Sequence, residues 1–419
     1  MNIHATTPQL TPAETALVDA FVARAADLPG DGELMLTRDG AVERIKAGLP
    51  NRRVEAWHYT DLRRLLSAVP EFDPTAKAEA VQPLVAGSRV LPVLGGRAEV
   101  KGADGVRRVE ELLAEGTLNG LLKPTDAADA IGAINAAFAA DGLSIEVAAG
   151  AAPEAPIEIQ NVQAGGQTHT RHLVNVGEGA RATFVERQTG SGVALVSSVS
   201  HLTVGDGAEV LWVILQEQPG GASHLGQFNA TIGKDAKLTL FVMNAGGKLV
   251  RQEIRVRAEG EDCVFTLRGA NLLAGDTHCD VTMVLDHAGY GASSTEVIRN
   301  VVLDKAQGVF QGQIRVAREA QKTDAKMACN TLLLSDDGEF STKPELEIFA
   351  DDVACGHGAT VAEIDSNHLF YLMARGVSEK VARGLLVKAF LAEVVEELPS
   401  EALVEALEAR LDGWFAEHG

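Results

Sequence analysis

The sequence predicts a mainly β protein with some α structure, built around a coiled, solenoid-like core, and three observations predict it. The first is a fixed period: Val176-Gly177-Glu178-Gly179-Ala180, Val204-Gly205-Asp206-Gly207-Ala208 and Ile232-Gly233-Lys234-Asp235-Ala236 place Gly177, Gly205 and Gly233 28 residues apart. The second is that the period continues into the strands after the turns, where Ala182, Val210 and Leu238 share one register and Phe184, Trp212 and Leu240 another. The third is composition: 42 glycines with only 5% aromatics suit many tight turns between short strands. A constant period with matched apolar positions is what stacked coils produce, each covering the apolar face of the last. Glycine corners and alternating strands favour a β-helix over helical repeats. Gly260, at a spacing of 27, marks a weaker fourth copy. A sandwich with evenly spaced hairpins is the competing reading of the same period.

In chain order, the first segment (1–142) reads as mostly helical. Thr11-Pro12-Ala13-Glu14 supplies an N-cap, a first-turn proline and a glutamate three residues after the cap, and Leu17, Phe21 and Val22 follow at helical spacing. A second helix is predicted over Val109 to Glu115, and an alanine-rich third over Asp126 to Ala140, stopping at Asp141-Gly142. The β core is assigned to 143–365. Late strands fall at Glu296–Val302, Val309–Val316 and Glu345–Ala350; in the last, Leu346, Ile348 and Ala350 share a face opposite Glu345, Glu347 and Phe349. Helices return over 366–419. Ser378 caps one with an apolar stripe of Val381, Leu385, Phe390, Val394 and Leu398, Pro399 ends it, and Glu401 to Phe415 forms the last.

Charge and cysteine use narrow the function classes. The chain has 419 residues, 46% of them hydrophobic, and a formal charge of −21, which repels phosphate backbones and anionic membranes; no basic patch offsets it. No nucleic-acid or membrane partner is therefore expected. Met1 to Thr7 has neither a basic nor an apolar signal region, and no apolar run approaches the roughly 20 residues of a membrane span. Cys263, Cys279, Cys329 and Cys355 form no CxxC pair or zinc-like spacing, so reduced thiols in the cytoplasm are expected.

The densest cluster of chemistry is Asp351-Asp352-Val353-Ala354-Cys355-Gly356-His357-Gly358-Ala359-Thr360. A thiol and an imidazole two residues apart suit iron, zinc or an iron–sulfur cluster, but two ligands do not close such a site; the rest must come from elsewhere or from another chain. A small buried cysteine beside a turn histidine reads equally well from the residues alone. His278-Cys279 is a weaker pair, since adjacent strand residues point to opposite faces. Asp286-His287 and Cys329 rank with it, and Cys263 is placed in the core with Phe265 and Leu267. No GxxxxGK[ST] loop, GxGxxG turn or GxSxG elbow is present, and no acid–base pair stands out, so the chain is expected not to be an enzyme.

Two segments resemble the SufB/SufD family of the SUF iron–sulfur cluster assembly system. One is Arg53-Val54-Glu55-Ala56-Trp57-His58-Tyr59-Thr60-Asp61-Leu62, similar to the family's E-x-W-[KRH]-Y-T stretch. The other runs from Thr342-Lys343-Pro344-Glu345 through Cys355-Gly356-His357-Gly358-Ala359-Thr360 to Leu369-Phe370-Tyr371-Leu372-Met373-Ala374-Arg375-Gly376. The C-x-H-G-A-T form and a cysteine-free first 140 residues match the SufD branch. The resemblance implies a right-handed parallel β-helix core flanked by helical regions, and a non-enzymatic scaffold subunit. It implies pairing with SufB through the β-helix, and docking of the ATPase SufC on the helices from Ser378 to Phe415. It also makes His357, and after it Cys355, ligands at the SufB interface for iron or a transient cluster shared between the two chains. No tightly bound cofactor is expected of this chain alone. Rival readings are a homo-oligomeric β-helix interaction protein without a metal role, homodimeric in its simplest form, and a polysaccharide-active β-helix enzyme. The latter would need a row of basic or carboxylate groups on one face, and none is evident.

Overall fold

The structure, a computed structural model, describes residues 9–418 apart from 101, 103 and 119. Residues 1–8, where no signal sequence is expected, lie outside that description. Helices α1 (Pro12–Arg24), α2 (Gly32–Lys46) and α3 (Leu62–Leu65) come first, followed by β1 (Arg89–Leu94), β2 (Arg97–Ala98), β3 (Val106–Arg108), α4 (Val109–Ala114) and α5 (Ala130–Phe138). The strands then run without a helix: β4 (Asp141–Val147), β5 (Ile157–Gln163), β6 (Gly166–Val176), β7 (Arg181–Gly190), β8 (Ala194–Val204), β9 (Glu209–Gln216), β10 (Ser223–Ile232), β11 (Lys237–Asn244) and β12 (Leu249–Ala258). They continue as β13 (Val264–Leu273), β14 (His278–His287), β15 (Ser293–Val302), β16 (Gln307–Val316), β17 (Asp324–Leu333), β18 (Glu339–Ile348) and β19 (Ala354–Ala362). Helices α6 (Ser366–Met373), α7 (Glu379–Val395) and α8 (Glu401–His418) close the chain.

Strands from β4 onward alternate between two sheets, and each pairs in parallel with the strand two places along the chain. Evenly spaced hairpins would pair consecutive strands antiparallel, so the sandwich reading falls and the parallel β-helix stands. The registers are those of the sequence repeat: Ala182 pairs with Val210 and Val210 with Leu238, Phe184 with Trp212 and Trp212 with Leu240. These side chains fill the interior, where Phe184 stacks on Trp212 at 4.8 Å between ring centroids. The repeated glycine is needed for close approach of backbones. A Cβ on Gly177 would lie 2.6 Å from Ala149 N, one on Gly205 would lie 2.8 Å from Glu178 N, and Gly260 packs directly on Gly233. Two residues on, Gly179, Gly207, Asp235 and Asp262 take positive φ, and each donates its N–H to the next coil, as in Gly207 N to Lys234 O at 2.7 Å.

Both outer faces are covered. The N-terminal helices bury Leu195, Val199, Leu225 and Leu249 on the sheet that runs from β4 to β18. Helices α7 and α8 bury Leu211, Val213, Phe241 and Met243 on the sheet that ends in β19. Thr11 and Glu14 form the capping box expected at α1, and Leu17 and Phe21 are buried as expected. Val22 is 73% exposed, because the α1 face that packs on α2 is narrower than the sequence stripe. Helix α5 starts after the Asp129 N-cap instead of at Asp126; its C-terminal carbonyls at Ala136, Ala137 and Ala139 accept from the buried Arg38 guanidinium. Helix α2 and strands β1 to β3 have no counterpart in the sequence reading. In α7, Val394 is buried but Val381 and Leu385 are 54% and 50% exposed. The line that packs is Ala382, Val387, Leu391, Val394 and Val395, which is rotated from the sequence stripe and leaves its first two positions uncovered.

Candidate functional site

The two ends of the β-helix differ. At the start, β2 and β3 fold back antiparallel on β1 and β4 and cap the coil. At the finish, β18 and β19 are the outermost strands of their sheets, with no described strand beyond them. An uncovered strand row offers unpaired N–H and C=O groups to another chain. Around it Ile348, Phe349, Val361, Phe370, Tyr371 and Met373 are exposed. Ile348 lies in an interior column, paired with the buried Val316, and is uncovered only because the stack stops there.

Cys355 and His357 lie on β19 in this last coil. Cys355 pairs with Ala325 and His357 with Met327, both interior residues, so the two side chains share the inward face. Their Cα atoms are about 7 Å apart by strand rise. Cys355 packs against the end of the core, whereas His357 is exposed. Burial holds the Cys355 thiol above its ordinary pKa; Ala325 N–H works against that, and Asp324 and Glu296 add to it. Among the described residues no three of His, Cys, Asp and Glu converge into a metal site. The pair therefore stands on an open rim with no third such side chain converging on it among the described residues.

Behind the rim the interior carries polar groups that sequence reasoning missed. Asn244, Asn271 and Asn300 are in register on β11, β13 and β15, all buried, and their amides bond in one direction. Asn244 donates to Asn271 Oδ1 at 2.8 Å, Asn271 to Asn300 Oδ1 at 2.7 Å, and Asn300 to Thr331 Oγ1 at 3.0 Å and Cys329 Sγ at 3.3 Å. The ladder thus points its donors at the open end and finishes on the Cys329 thiol, which burial pushes up to about 11. The signal was an asparagine recurring at spacings of 27 and 29 residues, at Asn244, Asn271 and Asn300, within strands otherwise rich in apolar residues. Four residues before Asn300 on β15, Glu296 is fully buried.

The weaker candidates separate as strand alternation requires. His278 faces out and contacts Thr60 at 2.9 Å, while Cys279 is buried in a corner cluster of the interior. Asp286 lies 3.7 Å from the outward Arg315, and the buried His287 contacts Ser294 on the opposite sheet at 3.0 Å. Cys263 is core, as expected. The Glu55–Thr60 segment is a clasp. Trp57 is buried under the Arg251 guanidinium, 4.0 Å from ring centroid to Cζ, and Arg251 donates to Ala56 O at 2.8 Å. Thr60 and Arg251 both bond Asp280, and Lys343 on β18 pairs with Glu55. With Gln311 on β16 donating to Ala56 O at 3.3 Å, this segment ties the N-terminal region to four successive strands of one sheet, β12, β14, β16 and β18.

Residues 159–390 match the family model described as SUF system FeS cluster assembly, SufBD core domain. The chain is 29% identical over 391 residues to the iron–sulfur cluster assembly protein SufD of Escherichia coli strain K12, covering 88% of this chain and 89% of that protein. It is 28% identical over 408 residues to a SufBD family protein of Synechocystis, covering 89% of each. It is also 30% identical over 294 residues to the chloroplastic protein ABCI7 of Arabidopsis thaliana, covering 66% of this chain and 61% of that one.

Proposed function

Because this chain belongs to the SufBD core family of the SUF iron–sulfur cluster assembly system, and is SufD-like within it, we propose that it is a non-enzymatic scaffold subunit whose open β-helix end pairs with SufB. The observation that carries this reading is the asymmetry of the rod. One end is capped by antiparallel strands, and the other leaves β18 and β19 uncovered beside exposed apolar side chains. Pairing there would bring Cys355 and His357 against the partner, which would supply the remaining ligands for iron or a nascent cluster. Iron and sulfide are cargo in this scheme, and the chain's own part is to present a thiol and an imidazole at a fixed spacing.

The second half of the proposal is mechanical. SufC docks on α7 and α8, and its nucleotide-driven motion reaches the β-helix through their buried contact with the sheet. That contact is stiff: Leu391, Val394, Leu403, Leu407 and Leu411 are buried against it, and Arg268 and Arg299 on the sheet pair with Glu397 and Glu393. Close-packed interfaces transmit displacement instead of absorbing it. The exposed Val381 and Leu385 are the apolar groups left for the ATPase. Among the described residues no helix is long and apolar enough to cross a membrane.

Three measurements test this. V381D with L385D is expected to abolish co-purification of SufC while leaving the thermal midpoint within a few degrees, since both side chains face solvent. V361D is expected to abolish SufB pairing. Anaerobic reconstitution of the three-component complex with H357A is expected to lower cluster yield. Wild-type yield with H357A would remove the ligand role. Retention of SufC by the α7 variant would remove the coupling route. A homodimer of this chain that persists when SufB is added would replace the pairing scheme.

A further inference from the structure

Around the last coils the inside of the β-helix is lined largely by apolar side chains, and Glu296 interrupts them. Its column runs Leu240, Leu267, Glu296, Met327, His357 through successive paired strands. Two coils earlier in the column hold leucine, so an aliphatic side chain fills this position, and the chain places a carboxyl there instead. Glu296 is 0% exposed, and neither carboxyl oxygen has a partner in full hydrogen-bond geometry, Ser294 giving only a weak contact. A lone carboxyl in such surroundings opposes folding, more so when ionised. Burial accordingly pushes it up to about 8, with Ser294 and Arg268 pulling the other way. Arg268 acts from the outer face, where its guanidinium is paired with Glu397. The other titratable groups facing the last coils from within are Cys279 and His287 on β14, Cys329 on β17, and Cys355 and His357 on β19, none of them a fixed cation. The column opens to solvent at His357.

We propose that Glu296 is the internal counter-charge for a divalent first-row cation held at the open end by Cys355 and His357. It is a positioning residue acting through the apolar interior, because two strand spacings place it about 9–10 Å from the rim, beyond ligand reach. The inference rests on the reading of that pair as ligands. The charges balance: the dication enters, the Cys355 thiol and the Glu296 carboxyl each release one proton to water, and the thiolate and carboxylate together offset the two positive charges. At that separation, and an effective dielectric near 20, the attraction is worth roughly one to two orders of magnitude in affinity.

The test is anaerobic titration of the whole chain with Co(II), whose thiolate absorption reports binding at Cys355. E296Q, which keeps shape but not charge, is expected to weaken Co(II) binding about 10- to 100-fold, and E296D to restore most of it. E296L is expected to raise the thermal midpoint, since leucine suits the column, while weakening Co(II) as E296Q does. Wild-type affinity in E296Q, with binding lost in C355S and H357A, would overturn the counter-charge and leave the ligand pair intact. Wild-type binding in C355S and H357A as well would instead sink the ligand reading. Equal weakening in E296D and E296Q would mark a packing role and overturn the proposal.

Discussion

Replacing Asn271 is the sharpest test of how the inside of this β-helix is held. Asn271 accepts from Asn244 at 2.8 Å and donates to Asn300 at 2.7 Å, and it is buried. N271A or N271L leaves an Asn244 donor and an Asn300 acceptor without partners in a dry interior. Each orphan costs about 1–3 kcal/mol, so a loss of roughly 2–5 kcal/mol is expected. Asn244 Oδ1 is already unpartnered, so the ladder has no slack at its start. N271D keeps the acceptor for Asn244 and, while protonated, an O–H for Asn300, so its cost is expected to grow as the new carboxyl ionises and that donor is lost. The triple variant N244L/N271L/N300L removes donors and acceptors together. It should cost less than the three single losses added, with a coupling of at least about 1 kcal/mol. Urea unfolding followed by circular dichroism gives the totals, and hydrogen exchange on β11, β13 and β15 locates them. Single losses below about 0.5 kcal/mol, or additivity within that margin, would refute the ladder as a stabilising unit.

G205A would press a methyl to within 3 Å of Glu178 N, Gly177 C and Val176 O, and overpacking against backbone costs about 1–3 kcal/mol. G207D meets open space at a φ of 64° that Asp235 already adopts at 54° one coil later, so its midpoint in urea is expected within about 0.5 kcal/mol of wild type; the reverse ranking would contradict the corner argument. W57A empties a buried site and frees Arg251 from its ring, a loss of about 3–5 kcal/mol expected to appear as faster proteolysis of the N-terminal helices; unchanged proteolysis would deny the clasp. His172 is buried neutral, accepting from Leu143 N and bonded to Asn161, and burial pushes it down to about 3. The unfolded chain therefore takes up protons first: stability is complete above about pH 6.5 and falls as pH drops toward 3. H172Q is expected to flatten that acid limb of the thermal midpoint, and an unaltered limb would refute the assignment.

How far the sequence reached depends on whether a feature is periodic. The coil is periodic, because each turn must place glycine where backbones meet and an apolar side chain inside. Gly177, Gly205 and Gly233 with Phe184, Trp212 and Leu240 therefore disclosed the β-helix before any coordinates. The Thr11–Glu14 cap and the inward place of Cys263 were legible for the same local reasons. Features that depend on what covers what were not. Val22, Val381 and Leu385 have the right spacing, yet only the packing of α1 and α7 decides which stripe residues meet a partner. Strand β1 carries Pro92 inside it and β2 and β3 are two and three residues long, so none announces itself, yet β2 and β3 cap one end. Cys355 and His357 are legible as a pair from their spacing, but their place at an uncapped rim, with Glu296 and the asparagine ladder behind them, comes from coils roughly 30 residues apart stacking in register. Spacing fixes what a residue faces along its own strand; only the stacked neighbours fix whether that face is dry, charged or open.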